Sequence, residues 1–151
     1  MSLIERDTPA LNPGEVLIKV EAAAINPSDI RNVEGFFHTA LPRIPGRDYA
    51  GIAAAGAALL GQEVWGSGPG FGILRDGAHA GYTVAALIGI GSVKLTGPEI
   101  ASIMDSLRPG FEAGALKPFD VTPWPLAQGV TAYEKSSYDG AAAKHVLLPR
   151  G

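Results

Sequence analysis

The chain contains no cysteine, which excludes disulfides, thiolate nucleophiles and any zinc site built on sulfur ligands. Charge is also sparse. Charged residues make up 18% of the chain, and 12 Lys+Arg against 15 Asp+Glu give a net charge of −3, so there is no basic footprint for DNA, RNA or an anionic membrane. No apolar run approaches the ~18 residues of a membrane-spanning helix. The start, Met1-Ser2-Leu3-Ile4-Glu5-Arg6-Asp7, lacks the apolar core of a signal peptide. The expectation is a cytoplasmic protein with no nucleic acid and no membrane among its partners.

What the sequence does have is 46% hydrophobic residues, 20 Gly and 12 Pro in 151 residues. At ~100–200 residues per domain the length fits one. Gly and Pro are spread along the chain, which predicts many short elements joined by turns. From Glu15 to Ala22 the pattern has period two, with Val16, Ile18, Val20 and Ala22 on one face, which is a half-buried strand. Asn26-Pro27-Ser28-Asp29 reads as a helix start with Asn26 as cap, and Gly35 as the stop. Between Leu41 and Val84 short apolar runs, Tyr49 to Ile52, Glu63 to Trp65 and Tyr82 to Val84, predict a small barrel or sandwich.

After Val84 the character changes. Ala85 to Ile90 is apolar but for Gly89, and Thr96-Gly97-Pro98-Glu99 opens a second helix carrying Ile100, Ile103, Met104 and Leu107, which Pro109-Gly110 should stop. Leu116 to Phe119 reads as a short strand ending in the turn-rich Thr122-Pro123-Trp124-Pro125. A third helix is expected from Leu126 to about Ser136, packing Leu126, Val130 and Tyr133, and His145 to Pro149 closes as a strand. The fold class is therefore mainly β with a few helices (α+β).

The candidate chemistry is modest. The densest glycine cluster, Gly66 to Gly72, has the wrong spacing for G-x-G-x-x-G and includes Pro69, which lacks a donor. It reads as a loop and not as a phosphate cradle. His38, His79 and His145 show no metal-binding spacing. Asn26 and Asp29 read as a capping pair. Asp48 reads as a local ion-pair or turn residue, and Phe36-Phe37 as core or cleft lining.

Four segments in order carry a resemblance: Gly14-Glu15-Val16-Leu17-Ile18-Lys19-Val20, Asn26-Pro27-Ser28-Asp29, Pro45-Gly46-Arg47-Asp48-Tyr49-Ala50-Gly51 and Gly61-Gln62-Glu63-Val64-Trp65-Gly66. They resemble the start of a medium-chain dehydrogenase/reductase of the zinc-independent quinone oxidoreductase-like branch. Leu116-Lys117-Pro118, Pro125-Leu126 and Ala143-Lys144-His145-Val146-Leu147 resemble that family's closing segment, with Ala143 where a glycine is usual. The resemblance implies a GroES-like barrel plus a C-terminal helix-strand return segment, with no complete Rossmann domain. On this reading one domain, 1–151, is assembled from a block 1–84 and a block 87–151 joined near 85–86, where about 150 residues of nucleotide-binding domain would stand. The gap reads as a deletion, engineered or natural.

The family also implies roles. Asn26 stands where zinc-dependent members have a ligand cysteine, and in the quinone branch it faces the nicotinamide end of the cofactor. Ser28 matches a proton-relaying hydroxyl. Arg47-Asp48 stand where zinc-dependent relatives have His-Glu, and an arginine cannot hold a metal cation, so no zinc is expected. The implied site has Asn26, Ser28, Asp29 and Asp48 as catalytic residues, Phe36, Phe37 and Arg47 against the substrate, and Asn26 and Lys144 toward the cofactor. Lys144 reads otherwise as a solvated strand-end lysine.

The implied parent reaction is hydride transfer from a nicotinamide cofactor, NADPH, to a quinone, enone or related carbonyl. The 151-residue chain alone is expected neither to bind that cofactor tightly nor to turn over. The alternative is a non-enzymatic barrel acting as a binding or assembly module, while an intact zinc enzyme is disfavoured. The missing nucleotide-binding domain is an implied partner. Leu87, Ile88 and Ile90 should be left exposed by its loss, which predicts self-association through 86–95.

Overall fold

A computed structural model describes residues 1–56, 59–68, 70–86, 97–117, 120–138 and 144–150. Strand β1 (Glu15–Ala24) leads into helix α1 (Pro27–Val33), then β2 (Asp48–Ala55), β3 (Glu63–Ser67) and β4 (Tyr82–Ala86). Helix α2 (Gly97–Glu112), β5 (Val121–Pro125), a 3-10 turn at Leu126–Gln128, α3 (Gly129–Tyr138) and β6 (Lys144–Leu148) follow. The strands form one open sheet in the order β3-β2-β1-β6-β5, with β4 also on β1. This is a mostly β architecture with three helices, as expected, and the sheet formed by the described strands does not close. Among the described residues there is one β-α-β unit, β5-α3-β6 with its strands parallel, and no Rossmann domain.

β1 organises the molecule. One edge pairs antiparallel with β2 from Leu17 to Ala22. The other pairs with β4 over Glu15 to Lys19, then with β6 at Ala23 and Ala24. Val16 and Ile18 pack with Ala53, Phe71 and Ala85, and Val20 and Ala23 pack with Ala78. The expected alternation fails at one place. Ala23 is buried and Ala22 is only half-buried, because a register shift between Val20 and Ala22 inserts a bulge and flips the phase. Gly51 lies where any Cβ would come within 2.1 Å of the Lys19 carbonyl oxygen, so β2 approaches β1 closely only without a side chain there.

α1 starts at Pro27 and ends before Gly35, whose φ is 91°, as its turn residues predict. The other helices differ from expectation. α2 runs through Pro109 to Glu112, and Gly110 does not end it. Pro109 lies one turn from the helix end and forgoes the bond its N–H would make to the Asp105 carbonyl, a loss that the helix absorbs at that place. The stop is Gly114, with φ 70°, and the Leu116 N–H returns to the Gly110 carbonyl oxygen at 2.9 Å. Its apolar residues Ile103, Met104, Leu107 and Phe111 are exposed.

At the third helix, Ala132 and Tyr133 enter the core while Val130 is 38% exposed, because a 3-10 turn precedes the α-helix and shifts the face that meets β6. A strand runs over Val121–Pro125, most of it the stretch 122–125 read as turns, while Leu116 and Lys117 of the expected 116–119 strand are outside any strand. Among the described residues β5 lies at the sheet edge, paired to β6, where Pro123 and Pro125 need no outward N–H. The segment 86–95 with Leu87, Ile88 and Ile90, the Thr96 cap, and Pro69, Pro118, Phe119 and Ala143 lie wholly or largely outside the described residues. Among the described residues no helix is long and apolar enough to cross a membrane.

Candidate functional site

The turn from β1 into α1 places Asn26 at the end of the strand that every other strand of the first half depends on. Asn26 and Asp29 take up the capping-box arrangement, with the Asn26 N–H donating to Asp29 Oδ2 at 2.9 Å. Capping is not the whole role of this asparagine. Its Nδ2 donates to Asp48 Oδ2 at 2.6 Å, across 22 residues of sequence. Its Oδ1 accepts a hydrogen bond from the Lys144 ammonium, across 118 residues. Asp48 opens β2 and Lys144 opens β6, so a neutral amide stands between a carboxylate and an ammonium, all three part-buried. An amide held at both ends has one orientation, which fixes where its polar atoms point.

Beneath this trio lies a second polar group. Asp29 is wholly buried, and its Oδ1 has no hydrogen-bond partner among the described residues. Burial raises its carboxyl above the ordinary range, with Asp48 adding to the effect and His79 and the Asn26 N–H opposing it. His79 is 8% exposed. Its Nε2 lies 3.1 Å from the Ala24 carbonyl oxygen, which can only accept, so Nε2 carries the proton. Nδ1 then accepts from the Tyr133 hydroxyl at 2.7 Å. Burial lowers the ring's pKa, against the pull of Asp29, the Ala24 carbonyl and Asp48. Burial, with Asp29 adding to it, raises Tyr133 and keeps its hydroxyl protonated.

The structure thus brings together Asn26, Asp29, Asp48 and Lys144 from the expected set. Ser28 is half-buried on α1 and Arg47 half-buried before β2, and neither side chain has a hydrogen bond or ion pair among the described residues. Phe36 and Phe37 form an edge-to-face pair with centroids 5.3 Å apart. They are 66% and 37% exposed, with Arg31 rather than a site residue over Phe36.

Sequence reasoning weighed His79 only as a metal ligand, for which its spacing gave no support, and Tyr133 only as packing. The usable signal was Gly77-Ala78-His79-Ala80-Gly81, a histidine ringed by residues small enough to let backbone approach. A groove of about 1720 Å³ runs beside Met1 to Ala10 and the 41–45 loop. His79 and Tyr133 contribute to its wall, but Asn26, Asp48 and Lys144 do not.

Residues 12–94 match the alcohol dehydrogenase GroES-like domain, a stretch that holds β1 to β4, Asn26, Asp29, Asp48 and His79. A zinc-type alcohol dehydrogenase-like protein of Schizosaccharomyces pombe is 53% identical over 74 residues, 47% of this chain and 23% of that protein. The chain therefore spans only a fraction of that relative's length. A thermostable alcohol dehydrogenase from Pyrobaculum aerophilum superposes with a TM-score of 0.72 over 97% of this chain and 95% of that one, at 16% identity. An alcohol dehydrogenase superfamily protein from Novosphingobium aromaticivorans gives 0.50 over 94% and 48%, at 21% identity. At these identities the two structures speak for the fold.

Proposed function

Since the chain belongs to the alcohol dehydrogenase GroES-like domain family, we propose that it is the substrate side of a zinc-independent, NADPH-dependent oxidoreductase acting on a quinone, enone or related carbonyl. The observation that carries this reading is the Asn26 amide held between Asp48 and Lys144. A zinc ion does not suit this donor set. The amide nitrogen offers no lone pair, the amide oxygen is already bonded to an ammonium, and a second cation, Arg47, flanks Asp48. No step is therefore routed through a metal.

The cofactor, when present, supplies the hydride. Asn26 and Lys144 are the residues proposed to face it. The Lys144 ammonium and the Asn26 amide are donors for a substrate oxygen that gains negative charge, while Asp48 keeps the amide oriented and Asp29 holds the Asn26 backbone N–H. Asp29, being wholly buried, acts through Asn26 and not on substrate. Ser28, Arg47, Phe36 and Phe37 remain in the proposal as nearby wall residues.

The nucleotide-binding domain joined near 85–86 in the parent, a small carbonyl or quinone substrate, and a second copy of this chain through 86–95 are the proposed partners, with the cytoplasm as the site of action. For the chain alone we expect no tight NADPH binding in calorimetry, no quinone turnover and no zinc in metal analysis. Micromolar NADPH binding with turnover would overturn the proposed inactivity. Stoichiometric zinc would overturn the metal-free site, and light scattering showing a clean monomer at high concentration would remove the second copy.

A further inference from the structure

His79 belongs to no proposed chemical step, yet three separate segments meet on it. Its Nε2 bonds the carbonyl of Ala24, two residues before Asn26. Its backbone N–H donates to the Pro45 carbonyl oxygen at 3.0 Å, and the neighbouring Ala78 N–H donates to the Gly46 carbonyl oxygen at 3.1 Å, two residues before Asp48. Its Nδ1 takes the hydroxyl of Tyr133 on α3, the helix that packs Ala132 and Tyr133 against Leu147 of β6, the strand that begins with Lys144. The fit leaves little slack. A Cβ on Gly46 would stand 2.5 Å from His79 Cδ2 and 2.7 Å from its backbone nitrogen, and Gly46 has a φ of 101°.

We infer that His79 and Tyr133 are positioning residues, a buried pin that sets β1, the 44–46 loop and α3 in the one arrangement that lets Asn26, Asp48 and Lys144 meet. The trio is drawn from residues up to 118 apart, and each of its three hydrogen-bonding ends is placed by a segment fixed to the same imidazole or to its tyrosine partner. Because a buried ring with unpaired nitrogens is costly, the pin holds only with both nitrogens satisfied. This couples the C-terminal segment to the geometry at Asn26. The inference rests on reading that trio as the reacting end, but its geometry is measurable without any ligand.

The test is hydrogen exchange of the Asn26 side-chain amide in the 15N-labelled full chain. Tyr133→Phe and His79→Leu are expected to speed exchange by about tenfold, the loss of roughly one hydrogen bond's worth of protection. His79→Gln, which keeps one donor and one acceptor, should stay within about threefold of the parent. Ile18→Val, in the apolar cluster at the other end of β1, is the control for a merely structural effect and should leave the Asn26 amide unchanged despite lowering stability.

Unchanged exchange in Tyr133→Phe, equal losses in His79→Gln and His79→Leu, or an equal response to Ile18→Val would each overturn the inference. If His79→Leu does not fold, Tyr133→Phe, which retains the ring, decides alone. A ligand titration that fails while this pattern holds would remove the functional reading and leave the pin; the opposite result would do the reverse.

Discussion

The two ends of β1 are built on different physics. At its start, Val16 and Ile18 are 2% exposed and pack in an apolar cluster, so this end is held by burial, which is tolerant of direction. At its finish, around Ala24 and Asn26, residues from distant parts of the chain gather, with Asp29 and His79 buried and Asn26, Asp48 and Lys144 half-buried. Polar groups there gain little net free energy, but each must meet a partner at a fixed distance and angle. The comparison teaches that the first end supplies stability and the second supplies geometry. The bulge between Val20 and Ala22 is where the strand changes from one task to the other.

Substitutions should separate the two. The largest expected effect is at the apolar end: Ile18→Ala should cost about 2–4 kcal/mol by urea unfolding and leave the Asn26 amide shift of the folded fraction unchanged. Gly46→Ala comes next, at about 1–3 kcal/mol from strain and overlap with His79. Unlike Ile18→Ala, it should move the Asn26 and Asp48 resonances.

The pH dependence of stability sharpens the polar end. His79 is held below its ordinary value of 6.5, so as pH falls through that value the unfolded chain gains a proton that the folded chain resists, and stability is lost. Asp29 is held above its ordinary 3.8, so its contribution is present at low pH and is lost as pH rises through the folded value. The two oppose each other between these limits. Asp29→Asn should therefore steepen the acid loss by up to about 1.4 kcal/mol per pH unit, and His79→Gln should flatten or reverse it. Urea midpoints across the window measure both slopes. The smallest stability effect belongs to Lys144→Met, below about 1 kcal/mol for a part-exposed pair, although it should abolish the response of Asn26 to ligand.

Much of the apolar end was legible in the sequence. Period two from Glu15 to Val20, the Pro27 start and the short runs at 49–52, 63–65 and 82–84 all became the expected elements, because a face buried against one core leaves its period in the residues. What was illegible depends on partners far along the chain. The bulge at Val20 to Ala22 arises from pairing with β2, the prolines of β5 are tolerated on a strand at the sheet edge, and α2 runs past Pro109 without the bond its N–H would make.

The site divides the same way. Asn26, Asp29, Asp48 and Lys144 were named from short motifs and from family resemblance, and they lie together. His79 and Tyr133 were not, since an imidazole's partners at positions 24 and 133 leave no local pattern. The exposed positions of Phe36 and Phe37 likewise follow from packing that two adjacent aromatics do not encode.

The proposal stands or falls on whether the Asn26–Asp48–Lys144 trio is the reacting end of a zinc-free reductase site. The most direct measurement follows the Asn26 side-chain amide resonance by NMR as reduced nicotinamide mononucleotide, a small quinone and zinc are each titrated in. The account predicts weak but saturable shifts at Asn26 at high concentrations of the nicotinamide and the quinone, in keeping with the absence of tight NADPH binding, lost in Lys144→Met, and no response to zinc. Saturable zinc binding at Asn26, or ligand shifts confined to other residues, would contradict it.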